Sequence, residues 1–489
     1  MILLEKYNPA SSKDFKWVYV ASLVFIALNA VLIAHNQWWL GLVPFTLIVA
    51  LLWFLSLDKL LLLTVFLTPL SVTLDQLDIG TSLSLPSEPL MFGIITIFVI
   101  RQLFEGDYDR KALVHPLSIL ILINLFWIGV TAITSEMPLV SLKYFISRLW
   151  FVIPFYFLAL QMFKNYRNIG RFIWAYIIPL LLVIGYTTVG LWQAGFDEQL
   201  SQSVMTPFYP NHTSYGAIIA MLFPFIIAAI YRPEQFKVSK YALVAIAFVF
   251  SIALLFTYSR AVWVSLPAVL GLFFIIRFRI RLRTLLIVAI SILGLLMVNI
   301  DDLIMSMERN KQDSSEEFVE NFQSISNITT DDSNTERLNR WSSAVEMFME
   351  RPIVGWGPGT YQFQYAPFQE AKNLTLISTN AGDLGNAHSE YIGPMSESGL
   401  LGGLTMIAII IYFIIIGVKL SLFAYDESIR LMALSILLGM STYFIHGFLN
   451  NYLDIDKASV PFWGFMAIMT ALDLYHARHA EDQEEMAKV

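Results

Sequence analysis

Apolar runs follow one another along almost the whole chain and are separated by short polar segments. Most runs cover roughly 17 to 22 residues, which is the length of helix that crosses a hydrocarbon layer about 30 Å thick. The pattern predicts an all-α polytopic membrane protein with about fourteen transmembrane helices. We expect them near residues 17–35, 38–57, 60–74, 88–100, 115–134, 147–163, 172–192, 213–230, 241–257, 260–276, 284–300, 399–418, 430–448 and 458–476.

One polar stretch is far longer than the others. It covers residues 301–398 and is the segment predicted to form a small domain outside the bilayer. The predicted organisation is a transmembrane bundle of about eleven helices in 1–300, the loop domain in 301–398, and further transmembrane helices in 399–476. A short polar tail, 477–489, follows the last of them.

An amphipathic helix is expected in the middle of this loop. Ser333 and Glu336 have the spacing of a capping box, in which the two residues satisfy each other's backbone at a helix start. Apolar residues then recur at helical spacing, which predicts the core-facing stripe of the helix. These residues are Leu338, Trp341, Val345 and Phe348.

Pro352 and the glycine-rich turn at 355–359 are predicted to end this helix. Further along, Asn386 is a residue type that favours the N-cap of a helix. We therefore expect a second short helix that begins at Asn386, carries His388 and stops at Gly399.

Positive charge falls on alternate loops. With the N-terminus in the cytoplasm, most Lys and Arg residues collect on the cytoplasmic side, as the positive-inside rule requires. This orientation predicts that both termini are cytoplasmic, that the 301–398 loop is periplasmic, and that the protein lies in the bacterial inner membrane. The residues assigned to the cytoplasmic side include Arg101, Arg110, Lys111, Lys164, Arg167, Arg171, Arg232, Lys237, Lys240, Arg277, Arg279, Arg281 and Arg283.

The amino-acid composition limits the kinds of chemistry that the protein can carry out. Hydrophobic residues make up 57% and charged residues 14% of the 489 residues, with a mean hydropathy of +0.63, which is the balance of a membrane protein. The chain has no cysteine, which excludes disulfides, thiolate nucleophiles and iron–sulfur clusters. It also has no P-loop or Rossmann fingerprint, and we expect neither a cofactor nor a nucleic-acid partner.

Metal-dependent chemistry is the competing hypothesis. Asp454 and Asp456 lie in a short outer loop at a spacing that suits a divalent cation. The same two residues are also ordinary turn formers, and no His–Asp cluster accompanies them on that side of the membrane. We therefore predict no metal site.

Three arginines and one histidine are the first candidates for chemistry. Arg260 stands at the outer end of the tenth span, where an ionisable residue is costly and often functional, although an arginine there can also reach the headgroups. Arg337 and Arg340 lie three residues apart on the amphipathic helix, and we expect Arg340 to be on its solvated face. His388, alone in a loop, fits either a structural role or a base.

Four short motifs in this half of the chain occur in a characteristic order. They are Arg337-Leu338-Asn339-Arg340-Trp341, Pro352-Ile353-Val354-Gly355-Trp356-Gly357, His388-Ser389-Glu390-Tyr391 and Glu397-Ser398-Gly399-Leu400. Together with Ser259-Arg260 upstream, the order resembles the O-antigen ligase and polymerase superfamily. Members of that superfamily often have about twelve spans, so the resemblance makes the short predicted spans at 60–74 and 88–100 the doubtful ones.

The resemblance implies a glycosyltransferase that takes a glycan from undecaprenyl diphosphate at the periplasmic face. Arg260 and Arg337 would bind the diphosphate, because the planar guanidinium grips phosphate oxygens in pairs. His388 would accept a proton from the acceptor hydroxyl. Additional candidates for substrate contacts are Arg340, Tyr391, and Lys143 and Arg148 at the expected outer start of the sixth span, where interfacial anchoring is the alternative.

The sequence leaves the identity of the acceptor open. A lipid A core sugar would make the protein a ligase, which we prefer. Another lipid-linked repeat would make it a polysaccharide polymerase, and a protein hydroxyl an O-oligosaccharyltransferase. The alternative from another class is a lipid-linked oligosaccharide flippase, which should show two related halves around a charged cavity. The expected partners are therefore the lipid-linked donor, a glycolipid or glycan acceptor, and membrane lipids.

Overall fold

The computed structural model describes residues 12–37, 39–44, 46–47, 56–73, 84–106, 108–197, 202–236, 238–281, 283–284, 287, 332–370, 374, 378 and 385–477. The chain divides into two compact units, Met1–Leu60 and Leu61–Val489, and every site below belongs to the second. The helices along the described part of the chain are α1 (Ser12–Ala34), α2 (Leu57–Leu67), α3 (Ser87–Glu105), α4 (Arg110–Val114), α5 (Pro116–Ile133), α6 (Pro138–Met162), α7 (Arg167–Gln193), α8 (His212–Tyr231), α9 (Pro233–Phe236), α10 (Lys240–Leu255), α11 (Arg260–Arg277), α12 (Asp332–Glu350), α13 (Tyr361–Gln364), α14 (Ile392–Phe423), α15 (Glu427–Leu449) and α16 (Asp456–His476).

The predicted fold class is confirmed: the protein is an all-α polytopic membrane protein. Within the described residues, nine helices are long and apolar enough to cross a membrane, and α10 is a shorter apolar helix. The predicted spans near 38–57 and 284–300, the loop segment 301–331 and the tail from 478 lie wholly or mostly outside the described residues. The nine helices are α3, α5, α6, α7, α8, α11, α14, α15 and α16.

Several predicted spans have different bounds in the structure, and two of them are informative. The predicted helix at 60–74 is wrong in its second half, because α2 ends at Leu67 and Val72–Thr73 is a short strand paired antiparallel with Ser84–Leu85. An 11-residue helix is about half the length that a bilayer requires. The sixth span was predicted from 147, yet α6 begins at Pro138, because proline is well tolerated in the first turn of a helix.

The helix α16 lies at the centre of the bundle, since 83% of the residues in its apolar stretch are buried. It packs against α6, α7 and α15, while α8 packs against α10, α11 and α15. Small residues allow the close approaches: a side chain at Gly439 in α15 would lie 2.1 Å from the carbonyl oxygen of Met221 in α8. Such contacts replace the hydrophobic effect as the packing force between helices in lipid.

The long loop has a small apolar core of its own. Ala344 and Met347 of α12 pack with Tyr361, Tyr365 and Ala387, and Trp356, Phe368 and Ile392 cover them. The predicted core-facing stripe of α12 is therefore wrong for two of its four residues, while Trp341 and Phe348 are half-buried. Leu338 and Val345 are 37% and 48% exposed, whereas the buried residues of this helix are Glu336, Asn339, Arg340, Ser343, Ala344 and Met347.

The glycine-rich turn after α12 docks against a break in α14. Trp356 and Gly357 donate their backbone N–H groups to Ser396 and Glu397 at 3.1 and 2.8 Å, and Leu400 donates to the Pro352 carbonyl at 2.8 Å. Gly399 has φ 68° and interrupts α14 as the sequence predicts; a side chain there would lie 2.0 Å from the Ile353 carbonyl oxygen. The turn after α12 and the break in α14 are more than thirty positions apart in sequence, yet their backbones meet here. Glycine is needed at the contact because a side chain would not fit.

Candidate functional site

His388 lies in a short loop, residues 385–391, which we call the histidine loop. The predicted helix from Asn386 is wrong, because this segment is not helical and α14 begins only at Ile392. The Asn386 side chain instead accepts the backbone N–H of His388 at 3.0 Å, which is an Asx turn. His388 has φ 48°, a left-handed conformation that a non-glycine residue adopts only where its surroundings hold it.

Arg340 attaches α12 to this loop. Its Nε donates to Glu336 at 2.7 Å, and another guanidinium nitrogen donates to the Asn386 carbonyl at 3.1 Å. The side chain lies over the Tyr365 ring at 5.2 Å, and Arg340 is only 6% exposed. The prediction of a solvated Arg340 is therefore wrong. A buried, paired arginine is a positioning residue, and Glu336, which the sequence assigned to a capping box, is its partner.

Burial and the positive charges around His388 favour its neutral imidazole form. Burial, followed by the positive charges of Arg340 and Arg337, lowers the pKa of His388 to about 3. Both predicted residues, Arg337 and His388, thus lie within electrostatic reach of each other. At neutral pH the ring has a lone pair available for a proton, and the cations beside it prevent protonation from solvent.

Arg260 is the first residue of α11, behind Ser259 as N-cap. Its neighbours Thr257 and Val262 pack against Gly216, where a side chain would meet them at 3.2 and 2.9 Å. Gly216 lies one turn after His212, the first residue of α8, and His212 is within electrostatic reach of Arg337. The N-terminal turn of α8 therefore connects the surroundings of Arg260 with those of Arg337.

A cavity of about 930 Å³ lies on another side of the histidine loop. Asn386, Ala387, Ser389 and Glu390 line it, but His388, Arg260 and Arg337 do not. Lys143 and Arg148 do line it, although both lie inside α6 and not at its outer start as predicted. We call this space the loop cavity.

Arg148 has partners in the loop cavity. It donates to the Tyr144 hydroxyl at 2.5 Å and lies 3.5 Å from an Asp454 oxygen. Its charge also acts on the carboxyl of Glu390. A role for Lys143 or Arg148 in diphosphate binding stays a prediction, and the carboxylates beside Arg148 compete with it.

Glu390 is a buried carboxylate in the histidine loop that the sequence reasoning did not select. Its Oε1 accepts from the Tyr443 hydroxyl and from the backbone N–H groups of Tyr452 and Leu453 at 2.8 to 2.9 Å. Burial and the charge of Asp454 raise the pKa of Glu390 to about 7. The signal was present, since Glu390 stands inside the His-x-x-Tyr motif, but no local pattern shows that a carboxylate between polar neighbours will be buried.

The remaining predicted residues make structural contacts. Tyr391 donates its hydroxyl to the Phe444 carbonyl at 2.7 Å and holds the histidine loop on α15. Asp456 is buried and accepts from Lys457, Ser71 and Ser87, so it does not act together with Asp454. Among the described residues, no group of three or more potential ligands could hold a metal ion.

Comparison with known families gives a match over the segment that carries these residues. Residues 245–407, which include Arg260, Arg337 and His388, match the family model described as O-Antigen ligase. The match confirms the resemblance to the O-antigen ligase superfamily and supports a ligase- or polymerase-type glycosyltransferase activity. No curated protein matches the chain.

Proposed function

We propose that this chain transfers a glycan from undecaprenyl diphosphate to a sugar hydroxyl of a glycolipid, the lipid A core, at the periplasmic face of the inner membrane. The observation that carries the proposal is the neutral His388 beside Arg337, in a segment that matches the O-antigen ligase family. A base and a guanidinium are the two groups that this transfer requires: one for the acceptor proton and one for the leaving group.

The leaving group is a diphosphate, and negative charge grows on it as the glycosidic bond breaks. Arginine keeps its proton at any physiological pH and offers paired donors to phosphate oxygens. Arg337 and Arg260 would therefore stabilise the developing charge without a metal ion. Electrostatic stabilisation of this kind contributes more in a site that excludes water.

The acceptor hydroxyl is a weak nucleophile that His388 can activate. Its oxygen attacks the anomeric carbon of the donor, the bond from that carbon to the diphosphate oxygen breaks, and undecaprenyl diphosphate leaves with the bonding electrons. The hydroxyl proton passes to the His388 ring. A single displacement inverts the anomeric configuration.

Donor binding would improve His388 as a base. The free protein lowers the pKa of His388 partly through Arg340 and Arg337. A bound diphosphate brings negative charge to Arg337, which offsets that part of the effect and raises the pKa toward the range of an efficient general base. The histidine would then be a better base when the donor is present.

The direct test uses purified protein, an undecaprenyl-diphosphate glycan and, in separate reactions, a lipid A core glycolipid, a second copy of the donor, and a peptide with Ser and Thr. Transfer to the glycolipid supports the ligase. Transfer only to the second donor or only to the peptide would identify a polymerase or a protein glycosyltransferase instead. If no acceptor is used and liposomes show donor translocation, the flippase hypothesis replaces the enzyme.

Orientation is tested separately. We expect an alkaline phosphatase fusion at position 315, in the long loop, to be active, because that enzyme folds only in the periplasm. A fusion there that is active only with a cytoplasmic reporter would contradict the periplasmic site.

A further inference from the structure

A second histidine, His212, lies near the arginines that are proposed to bind the donor. It is the first residue of α8 and is within electrostatic reach of Arg337. Residues that flank Arg260 in sequence pack against Gly216, one helical turn after His212. The start of α8 therefore brings an imidazole to the place where the diphosphate would be held.

Tyr452 fixes the start of α8 relative to the histidine loop. Its hydroxyl forms a hydrogen bond with the Thr213 hydroxyl, and its backbone N–H donates to Glu390 at 2.8 Å. The charge of Arg337 also acts on the Tyr452 hydroxyl. The two segments that carry the histidines are therefore joined through one residue, within electrostatic reach of the same arginine.

The two ring nitrogens of His212 have different surroundings. Nδ1 is buried and has no hydrogen-bond partner in the described part of the chain. Nε2 is not buried in this way, and among the described residues it has no partner either, while the residue as a whole is half-buried. The open edge of the ring is therefore the one that carries Nε2.

This arrangement makes Nε2 a hydrogen-bond donor. A buried nitrogen without a partner costs less as a bare acceptor than as an N–H group, so the single proton of a neutral ring is favoured on Nε2. A protonated ring carries N–H groups on both nitrogens. In either charge state of His212, an N–H group at Nε2 is available to a ligand.

The charges near His212 suit an anionic ligand. Among the described residues, Arg337 is the charged group that acts on this imidazole, and no carboxylate does so. Arg148, in contrast, has Asp454 beside it, which competes with a phosphate. Anionic oxygens accept hydrogen bonds more strongly than neutral oxygens do, so a phosphate oxygen held by Arg337 is a suitable acceptor for the His212 N–H.

We infer that His212 is a third donor-binding residue, which donates a hydrogen bond from Nε2 to an oxygen of the diphosphate beside Arg337. The inference rests on the proposed function, because the donor of that reaction carries the diphosphate. The two histidines then have opposite roles. His212 gives a hydrogen bond to the leaving group, whereas His388 takes a proton from the acceptor.

Three substitutions at His212 separate a hydrogen-bond donor from a base. Glutamine places an amide N–H near the position of Nε2, asparagine is too short to reach it, and alanine has no donor. We expect His212→Ala and His212→Asn to raise the donor KM at least about tenfold, the scale of a lost hydrogen bond to a charged group, with the acceptor KM unchanged. His212→Gln should stay near the wild-type donor KM.

Folding is checked by gel filtration and thermal unfolding in detergent, and if His212→Ala does not fold, the comparison of His212→Asn with His212→Gln is decisive. His35→Ala is the matched control, because His35 is exposed, follows α1 and belongs to the other compact unit. An unchanged donor KM in His212→Asn would overturn the inference. Equal losses in all three variants would also overturn it, because glutamine cannot replace a base. An equal rise in donor and acceptor KM would indicate a structural role instead.

Binding of undecaprenyl diphosphate to the full-length protein, without an acceptor, separates this inference from the proposed function. We expect His212→Asn to bind this lipid at least about tenfold more weakly than wild type and His212→Gln to bind it normally. Such binding without transfer to any acceptor would refute the proposed function and leave the diphosphate site. Transfer by the wild type, with equal lipid binding in every variant, would refute the inference and leave the proposed function.

Discussion

His388 and Glu390 are two residues apart in one loop, yet their surroundings are opposite. His388 lies beside Arg340 and Arg337, and its pKa is lowered to about 3. Glu390 lies near Asp454, with Arg148 as the nearby cation, and its pKa is raised to about 7. Burial comes first among the causes of both shifts, because it favours whichever form is neutral. Near pH 7 the histidine is therefore uncharged and the carboxyl is partly protonated.

The difference teaches that one short loop can hold two groups in opposite surroundings. The arginine side suits an anionic group such as the diphosphate of the proposed donor, whereas the carboxylate side suits hydrogen-bond donors.

Among the changes that test this comparison, removal of the His388 imidazole should lower activity most. We expect His388→Ala to lower kcat by roughly 10²–10⁴, the contribution of a lost general base, while donor affinity stays near the wild-type value. Stopped-time transfer assays and donor binding are measured on the same preparation, with gel filtration as the check of folding. Near-normal turnover would show that the motif stabilises the loop and takes no part in the chemistry.

The arginine side is tested next. Arg337→Lys should lower kcat by roughly 10²–10³, almost as much as Arg337→Ala, because a point charge does not reproduce a paired donor for phosphate. Arg351→Lys is the control, since Arg351 forms a half-exposed ion pair with Glu136 at 2.7 Å, and it should change activity little. If Arg337→Lys keeps wild-type kcat, charge alone is sufficient and the guanidinium has no special role.

The opposite pKa shifts predict opposite effects of pH on stability. For His388 the folded pKa is below the unfolded value, so its stabilising contribution is present above about pH 6.5 and is lost as the pH falls toward 3. For Glu390 the folded pKa is above the unfolded value, so its contribution is present below about pH 4.5 and is lost as the pH rises toward 7.

Thermal unfolding of Glu390→Gln and wild type between pH 5 and pH 7.5 measures the second effect. We expect the wild-type midpoint to fall relative to the variant by a few degrees as the pH rises, because only the wild type retains the ionisable carboxyl. Parallel midpoints across the range would mean that Glu390 titrates normally and that the contrast between the two sides is smaller than described.

Metal removal should have the smallest effect. Because arginines would neutralise the leaving group, transfer is expected to proceed at the same rate in EDTA. A loss of turnover that Mg²⁺ or Mn²⁺ reverses, with wild-type recovery in Asp456→Asn but not in Asp454→Asn, would assign a cation to the carboxylate side of the loop.

Much of the fold could be predicted from local pattern, and the errors have a common cause. Helix positions such as His212–Tyr231 and Arg260–Arg277 agree with the apolar runs within a residue or two. The amphipathic helix was predicted, but its inward face was only partly right. Its polar residues Glu336 and Arg340 are buried because they pair with each other and with the histidine loop, and the apolar residues Leu338 and Val345 are left exposed.

The candidate site was likewise predictable only in part from the sequence. Arg260, Arg337 and His388 could be selected by residue type and by their order along the chain. Glu390 could not, because its burial depends on Tyr443 and on the backbone of residues 452 and 453, which are more than fifty positions away. Likewise the pairing of Arg148 with Asp454 joins α6 to the segment before α16, and no spacing in the sequence indicates it.

The sequence by itself determined the membrane class, most span positions and the resemblance to the O-antigen ligase superfamily, because apolar length and motif order are properties of a linear chain. The tertiary structure alone decided which side of the histidine loop is positive and which is negative. Charge at a site is a sum over neighbours that folding brings together, and the interaction between two charges depends on their distance and burial in space. The contrast between His388 and Glu390 is a product of that packing.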